Sequence, residues 1–166
     1  MMETHVARAL HDEHQATLAL LARLEALLGQ HGPAVVPDAA AAPVATLLRA
    51  LARAVALEIG PHFAFEEIHL FPLLADSGAA EMVALLSAEH AAIIPYTKRL
   101  AELARQGQLA GFDAVSWAAF HAAGAALAGS LAAHVEKEEM GLLPALDALL
   151  DAETDGRLAL ELAALR

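Results

Sequence analysis

His62-Phe63-Ala64-Phe65-Glu66-Glu67-Ile68-His69-Leu70-Phe71-Pro72 and His134-Val135-Glu136-Lys137-Glu138-Glu139-Met140-Gly141-Leu142-Leu143-Pro144 share one pattern, His-x-x-x-Glu-Glu-x-x-Leu-[Phe/Leu]-Pro. On an α-helix, residues four apart lie on one face with Cβ atoms about 5–6 Å apart. Each copy therefore presents one imidazole and one carboxylate to the same point. Two copies facing each other supply two nitrogens and two oxygens, a donor set suited to a metal.

The repeat reaches further out. Asp12-Glu13-His14 and Ala88-Glu89-His90 share a Glu-His step ahead of each motif. The chain thus reads as two helix pairs, each with a lone His on its inner side followed by a His-x-x-x-Glu helix. Four antiparallel helices around one cluster of inward ligands is the plan of di-metal carboxylate bundles. The expected fold is all-α, an up-down-up-down four-helix bundle with a short extra C-terminal helix.

Helix one is expected from near Glu3 to Leu28, with His14 inside its apolar stripe and His11 at the edge, ending at Gly29. Residues 30–43, rich in Pro, Gly and Ala, read as a loop. Helix two is expected from Val44 to Leu74, kinked at Gly60-Pro61 because proline lacks an N–H and crowds the preceding turn. Asp76-Ser77-Gly78 is the exit turn, and Ser77 the expected N-cap of a helix reaching Arg105. Gly107 and Gly111 frame the next loop. Helix four is expected from Phe112-Asp113 to Leu150, and a short amphipathic segment from Asp155 to Leu165. The expected organisation is one domain over residues 1–166, with the bundle core at about 3–150 and an appendage at 151–166.

Composition agrees with helices. Of the 166 residues 58% are apolar, many of them alanine, and only 4% aromatic. The net charge of −11 repels phosphate backbones and acidic membranes, so no nucleic-acid partner is expected. The uncharged stretch from Ala114 to Val135 has the length of a membrane span. Its large side chains Trp117, Phe120, Leu127 and Leu131 nevertheless form a single face, which reads as a core helix. Without cysteine there is no disulfide, thiol nucleophile or thiolate ligand. Met1-Met2-Glu3-Thr4-His5 has neither the basic nor the apolar region of a signal peptide, so we expect a cytoplasmic protein with no membrane partner.

The candidate metal ligands are His14, His62, Glu66, His90, His134 and Glu138. Imidazole suits Fe, Zn, Cu and Ni, whereas carboxylate adds hard oxygen, so this set favours iron or manganese over copper. Glu66 and Glu138, from alternate helices, can each bridge two metals, with two histidines completing each metal and open positions left for a small ligand. For His14 or His90 alone a hydrogen-bonded core histidine is the simpler reading. Burying four imidazoles and two carboxylates together without a cation is costly, and that cost favours the metal. Glu67 and Glu139 are either solvated or acceptors for the ring N–H groups of ligands. His69 shares a face with His62, but its counterpart in the repeat is Gly141. His5, His31 and His121 read as surface or loop residues, and Trp117 and Phe120 as core.

On the lone His14, the Glu89-His90 step and the two His-x-x-x-Glu-Glu runs, the chain resembles the hemerythrin-like proteins, also called HHE cation-binding domains, over residues 3–150. The resemblance implies two Fe ions in an oxo- or hydroxo-bridged centre, with Mn or Zn as substitutes. It implies His14 and His62 on one iron, His90 and His134 on the other, and Glu66 and Glu138 bridging. Oxygen-carrying members have a further His where this chain has Ile94, and its absence is expected to open the second iron. The remaining set is similar to that of the repair-of-iron-centres proteins, which carry a cysteine-containing region; this chain has no cysteine. The expected function is binding, sensing or scavenging of O2, NO or peroxide, with a redox partner to supply electrons. The alternatives are a di-iron oxidase or peroxidase, an iron-centre repair protein, or a storage or interaction bundle without catalysis. The Ala118, Ala122, Ala125 and Gly129 face permits close packing within the bundle or in a homodimer.

Overall fold

Proline spacing shapes the helices of this chain. The computed structural model describes residues 4–165; Met1, Met2, Glu3 and Arg166 lie outside them, as does the expected helix start at Glu3. The described residues form an all-α helical bundle with no strand. We label the helices α1 (His5–Gln30), α2 (42–74), α3 (Ala80–Ala110), α4 (Ala114–Leu149) and α5 (Ala152–Ala163).

α2 is continuous through Gly60-Pro61, as the kink expectation requires. Its segments Ala42–Ala54, Gly60–Phe65 and Phe71–Leu74 are joined by wide, i→i+5 helical turns at Val55–Ile59 and Glu66–Leu70. α4 has the same feature at Glu138–Leu142. Each of these three wide turns is followed within two residues by a proline, Pro61, Pro72 and Pro144, whereas a fourth, Ala75–Ala79, contains Gly78 instead. A proline cannot donate to the carbonyl four residues back, and the helix absorbs the loss by widening. The Phe71 N–H donates to the Glu66 carbonyl and the Leu143 N–H to the Glu138 carbonyl, five residues back in both cases. The wide turn of each repeat thus opens at its inward glutamate.

Helix ends depart from expectation at three places. Ser77 is not the N-cap of α3; its hydroxyl donates to the Leu74 carbonyl at 2.8 Å, closing the preceding helix. Gly78, at φ 101°, reverses the chain in a conformation that side chains disfavour, and α3 starts only at Ala80. α3 also runs past Arg105 to Ala110, because Gly107 sits inside it, where a Cβ would overlap the Phe112 ring. α5 begins at Ala152, with Asp151 as its N-cap accepting the Thr154 N–H at 2.8 Å.

Asp155, the expected start of that helix, has another task. Its carboxylate accepts the backbone N–H groups of His5 and Val6, each at 2.9 Å, and lies 2.7 Å from His5 Nδ1. It caps the N-terminus of α1 from across the fold, where orphan N–H groups need an acceptor. Burial opposes its charge, but these donors outweigh that and hold its carboxyl below the usual aspartate range. The stability it adds is therefore full above the unfolded pKa of about 3.9 and is lost as pH falls through the lower folded value. We expect Asp155→Asn to cost about 1–2 kcal/mol at neutral pH. Thermal melts from pH 7 to 3 should show the variant losing less of its stability with acid than the parent.

The core lies in two apolar clusters. One contains Leu24, Leu28, Leu48, Leu100, Trp117 and Phe120. The other contains Val6, Leu10, Leu70, Phe71, Leu142 and Leu146, together with Leu158 and Leu162 of α5. The C-terminal segment is thus part of the core. Trp117 and Phe120 are fully buried, as expected. By length and composition α4 could cross a membrane, but its large side chains Trp117, Phe120, Leu127 and Leu131 are turned onto the first cluster. Ala118, Ala122, Ala125 and Gly129 are exposed, so that face is not used for packing between these helices.

Candidate metal centre

Between the two clusters lies a layer of polar side chains. On α1, His14 falls between Leu10 of one cluster and Leu21 of the other; on α4, His134 and Glu138 fall between Leu131 and Leu142. Helical spacing that continues the apolar stripe carries these groups inward. His14, Glu66, His90, His134 and Glu138 are buried, and His62 is nearly so.

All six residues expected to converge are brought together. They form two sets of four donors, His14, His62, Glu66 and Glu138 in one and Glu66, His90, His134 and Glu138 in the other. Within each set the donor atoms lie within 4.8 Å of one another. Donors on opposite sides of a cation with bonds of about 2.0–2.2 Å stand roughly 4 Å apart, so each set fits around one ion. Both glutamates belong to both sets. Glu138 Oε2 is 3.2 Å from His14 Nε2, while its Oε1 is 3.0 Å from His134 Nε2. Glu66 Oε1 is 3.2 Å from His62 Nε2, and its Oε2 is 3.4 Å from His90 Nε2.

Around this centre runs a ring of four further carboxylates, one for each imidazole. His62 Nδ1 donates to Glu13 at 2.7 Å, His90 Nδ1 to Glu67 at 2.8 Å, His134 Nδ1 to Glu89 at 2.9 Å and His14 Nδ1 to Glu139 at 2.7 Å. Each acceptor is the sequence neighbour of an inward residue: Glu13 of His14, Glu67 of Glu66, Glu89 of His90, Glu139 of Glu138. The ring therefore runs α1 to α2, α2 to α3, α3 to α4 and α4 back to α1. The acceptor role was one of the two readings left open for Glu67 and Glu139. Sequence reasoning missed Glu13 and Glu89, although the repeated Glu-His step that contains them was the signal.

This ring sets the chemistry inside. A carboxylate on Nδ1 fixes the proton there and turns the Nε2 lone pair inward, the arrangement common to histidine ligands of metals. The inward nitrogens then meet in pairs, His14 and His62 at 3.3 Å and His90 and His134 at 3.0 Å. None of the four oxygens of Glu66 and Glu138 receives a well-formed hydrogen bond, though all are buried. Facing lone pairs and orphaned anionic oxygens are costly in a low-dielectric interior, and a cation among them removes that cost.

Electrostatics point the same way. Burial opposes charge on His90, but Glu138, Glu66 and Glu67 prevail and hold its pKa up to about 9. His62 is likewise raised well above the usual histidine range, against burial, by Glu66 and Glu13. Burial also opposes charge on Glu138, yet His134, His14 and His90 hold it well below the ordinary range. The pocket favours positive charge, whether it arrives as protons or as a metal. We expect Glu67→Gln, whose carboxylate is half exposed and touches only His90 among the ring nitrogens, to weaken metal affinity about 10–100-fold with unchanged helicity. Chelator competition measures this directly.

Access is one-sided. A cavity of about 620 Å³ reaches His14, His62 and Glu138. On the other side the Phe63 ring stacks on His90 at 3.7 Å and 5°, with Phe71 at 5.4 Å. Ile94 packs at the edge of the first apolar cluster. The His90 ring, four residues before Ile94, is thus flanked by two aromatic rings.

The other histidines lie outside the centre. His11 Nδ1 contacts the outer oxygen of Glu139 at 2.9 Å, so His11, Glu139 and His14 form a chain from solvent to the centre. His69 pairs with Glu161 of α5 at 3.1 Å instead of lining the centre. His5 binds Asp155, His121 approaches the Leu28 carbonyl and His31 stands edge-on to Trp117.

Comparison with known families matches residues 5–146 to the hemerythrin HHE cation binding domain. A search of curated proteins found no match. With most of its length matched and its two histidine–carboxylate sets in place, this chain belongs to the hemerythrin HHE cation-binding family.

Proposed function

We propose that this protein holds two iron ions through His14, His62, Glu66, His90, His134 and Glu138, and uses them to bind, sense or scavenge a small ligand such as O2, NO or peroxide. The observation that carries this reading is the pair of buried glutamates, whose four oxygens lack hydrogen bonds and are divided between two histidine pairs. Four imidazoles with two carboxylates suit iron, with manganese or zinc as substitutes. Two iron ions held there would supply Lewis acidity and electrons to a small ligand, with electrons restored by a redox partner; zinc would supply Lewis acidity alone.

The chain's own residues define how that ligand arrives. Phe63 and Phe71 cover the His90 side, and the cavity leads to the His14 side. Glu139 anchors the His14 ring and is in turn held by His11, whose side chain is partly exposed. The size of the cavity, with room for a molecule larger than a diatomic gas, favours an oxidase or peroxidase as the second reading.

Metal content and visible absorption of protein purified without chelator test the first reading. About two irons per chain, with spectra that change when the reduced protein meets O2 or NO, are expected. A colourless protein with zinc or no metal overturns it. Turnover of a reductant with peroxide decides for the second reading.

A further inference from the structure

We infer that the cavity beside His14 and His62 is a binding site for an uncharged, mostly apolar organic molecule. Its volume of about 620 Å³ far exceeds what a diatomic gas requires; a water molecule occupies about 30 Å³ in the liquid. It falls within the roughly 300–1,000 Å³ of sites that enclose small organic ligands.

The lining matches that chemistry. Ile59, Phe63, Leu131 and Val135 form the deep wall, and Leu57 stands at the opening, 60% exposed. The last wall comes from Leu162 and Leu165, in and just after α5. Both residues lie beyond the segment matched to the family, so this boundary is built by the chain's own C-terminal extension. α5 is held in place by Asp155 on the start of α1 and by Glu161 on His69.

Charge at the cavity excludes one class of occupant. Among the described residues its acidic side chains are Asp12, Glu13, Glu58 and Glu138, and its one Lys or Arg is Arg53. Arg53 is already 3.5 Å from Glu58. Among the exposed lining residues that the structure describes, Asp12 and Glu58 outnumber Arg53, so an organic anion such as a fatty acid meets net negative charge where it enters. A molecule without charge loses nothing there and gains from leaving water.

The inference does not depend on the metal reading, because its test reads binding alone. The probes are N-phenyl-1-naphthylamine, uncharged, and 1-anilinonaphthalene-8-sulfonate, which has the same rings plus a sulfonate. The full chain, as purified, is titrated with each while emission is followed. Expected are saturable binding of the uncharged probe at one per chain with blue-shifted emission, and binding at least tenfold weaker for the sulfonate. Ala56→Trp and Leu165→Trp, both at partly exposed positions of the lining, should each weaken the uncharged probe at least tenfold while circular dichroism stays unchanged. Val115→Trp, exposed and outside the lining, should leave binding as it is. No saturable binding, equal binding of both probes, or binding that survives both cavity substitutions would overturn the assignment.

Discussion

Glu138→Ala is expected to abolish binding of both cations while leaving the helices intact. Among the described carboxylates, Glu138 alone stands within 4 Å of three of the four inward imidazoles: His134 at 3.0 Å, His14 at 3.2 Å and His90 at 3.7 Å. Its removal takes one oxygen from each donor set and halves the negative charge contributed by the two bridging glutamates. Loss of an outer-ring acceptor costs roughly 10–100-fold in metal affinity, and loss of a shared ligand should exceed that for both ions together. Elemental analysis of the purified variant should find little metal, and any visible absorption of the parent protein should be lost. The experiment separates a metal centre from a bundle with vestigial histidines. In such a bundle parent and variant would both be free of metal, and the substitution would leave the metal content unchanged.

Stripping the metal with a strong chelator should lower the melting temperature by about 8–16 °C. A ligand present at a thousand times its dissociation constant stabilises the folded state by about 4 kcal/mol, and each kcal/mol moves the midpoint of a chain this size by about 2–4 °C. Without the cation, the nitrogens of His90 and His134 face each other at 3.0 Å beside orphaned carboxylate oxygens. The penalty is concentrated between the two apolar clusters, where it opposes their joint packing. Calorimetry before chelation, after it, and after restoring metal would measure the shift. An unchanged midpoint would mean that no cation contributes to folding.

The repeat determined much of this in advance. Helical geometry obliges His62 with Glu66, and His134 with Glu138, to share a face, and the apolar stripes around His14 and His90 turn those rings inward. The prolines of the repeat announced some distortion, but a kink and a widened turn are both local answers to a missing N–H. Packing of Leu70, Phe71, Leu142 and Leu143 in the second cluster accompanies the widened form. The misjudged role of Ser77 has a similar source: a hydroxyl beside Gly78 can bond forward or backward, and the left-handed glycine decided for the Leu74 carbonyl.

What only the tertiary structure decided were the relations between helices. The ring that joins Glu13 to His62 and Glu89 to His134 pairs residues far apart in the chain, and spacing along one helix says nothing of its neighbour's rotation. The same holds for Asp155 capping α1, and for Phe63 covering His90 while a cavity opens beside His14. Periodicity specifies which side chains face inward, because that is a property of one helix. Which of them meet, and where space is left between them, depends on how several helices share one interior.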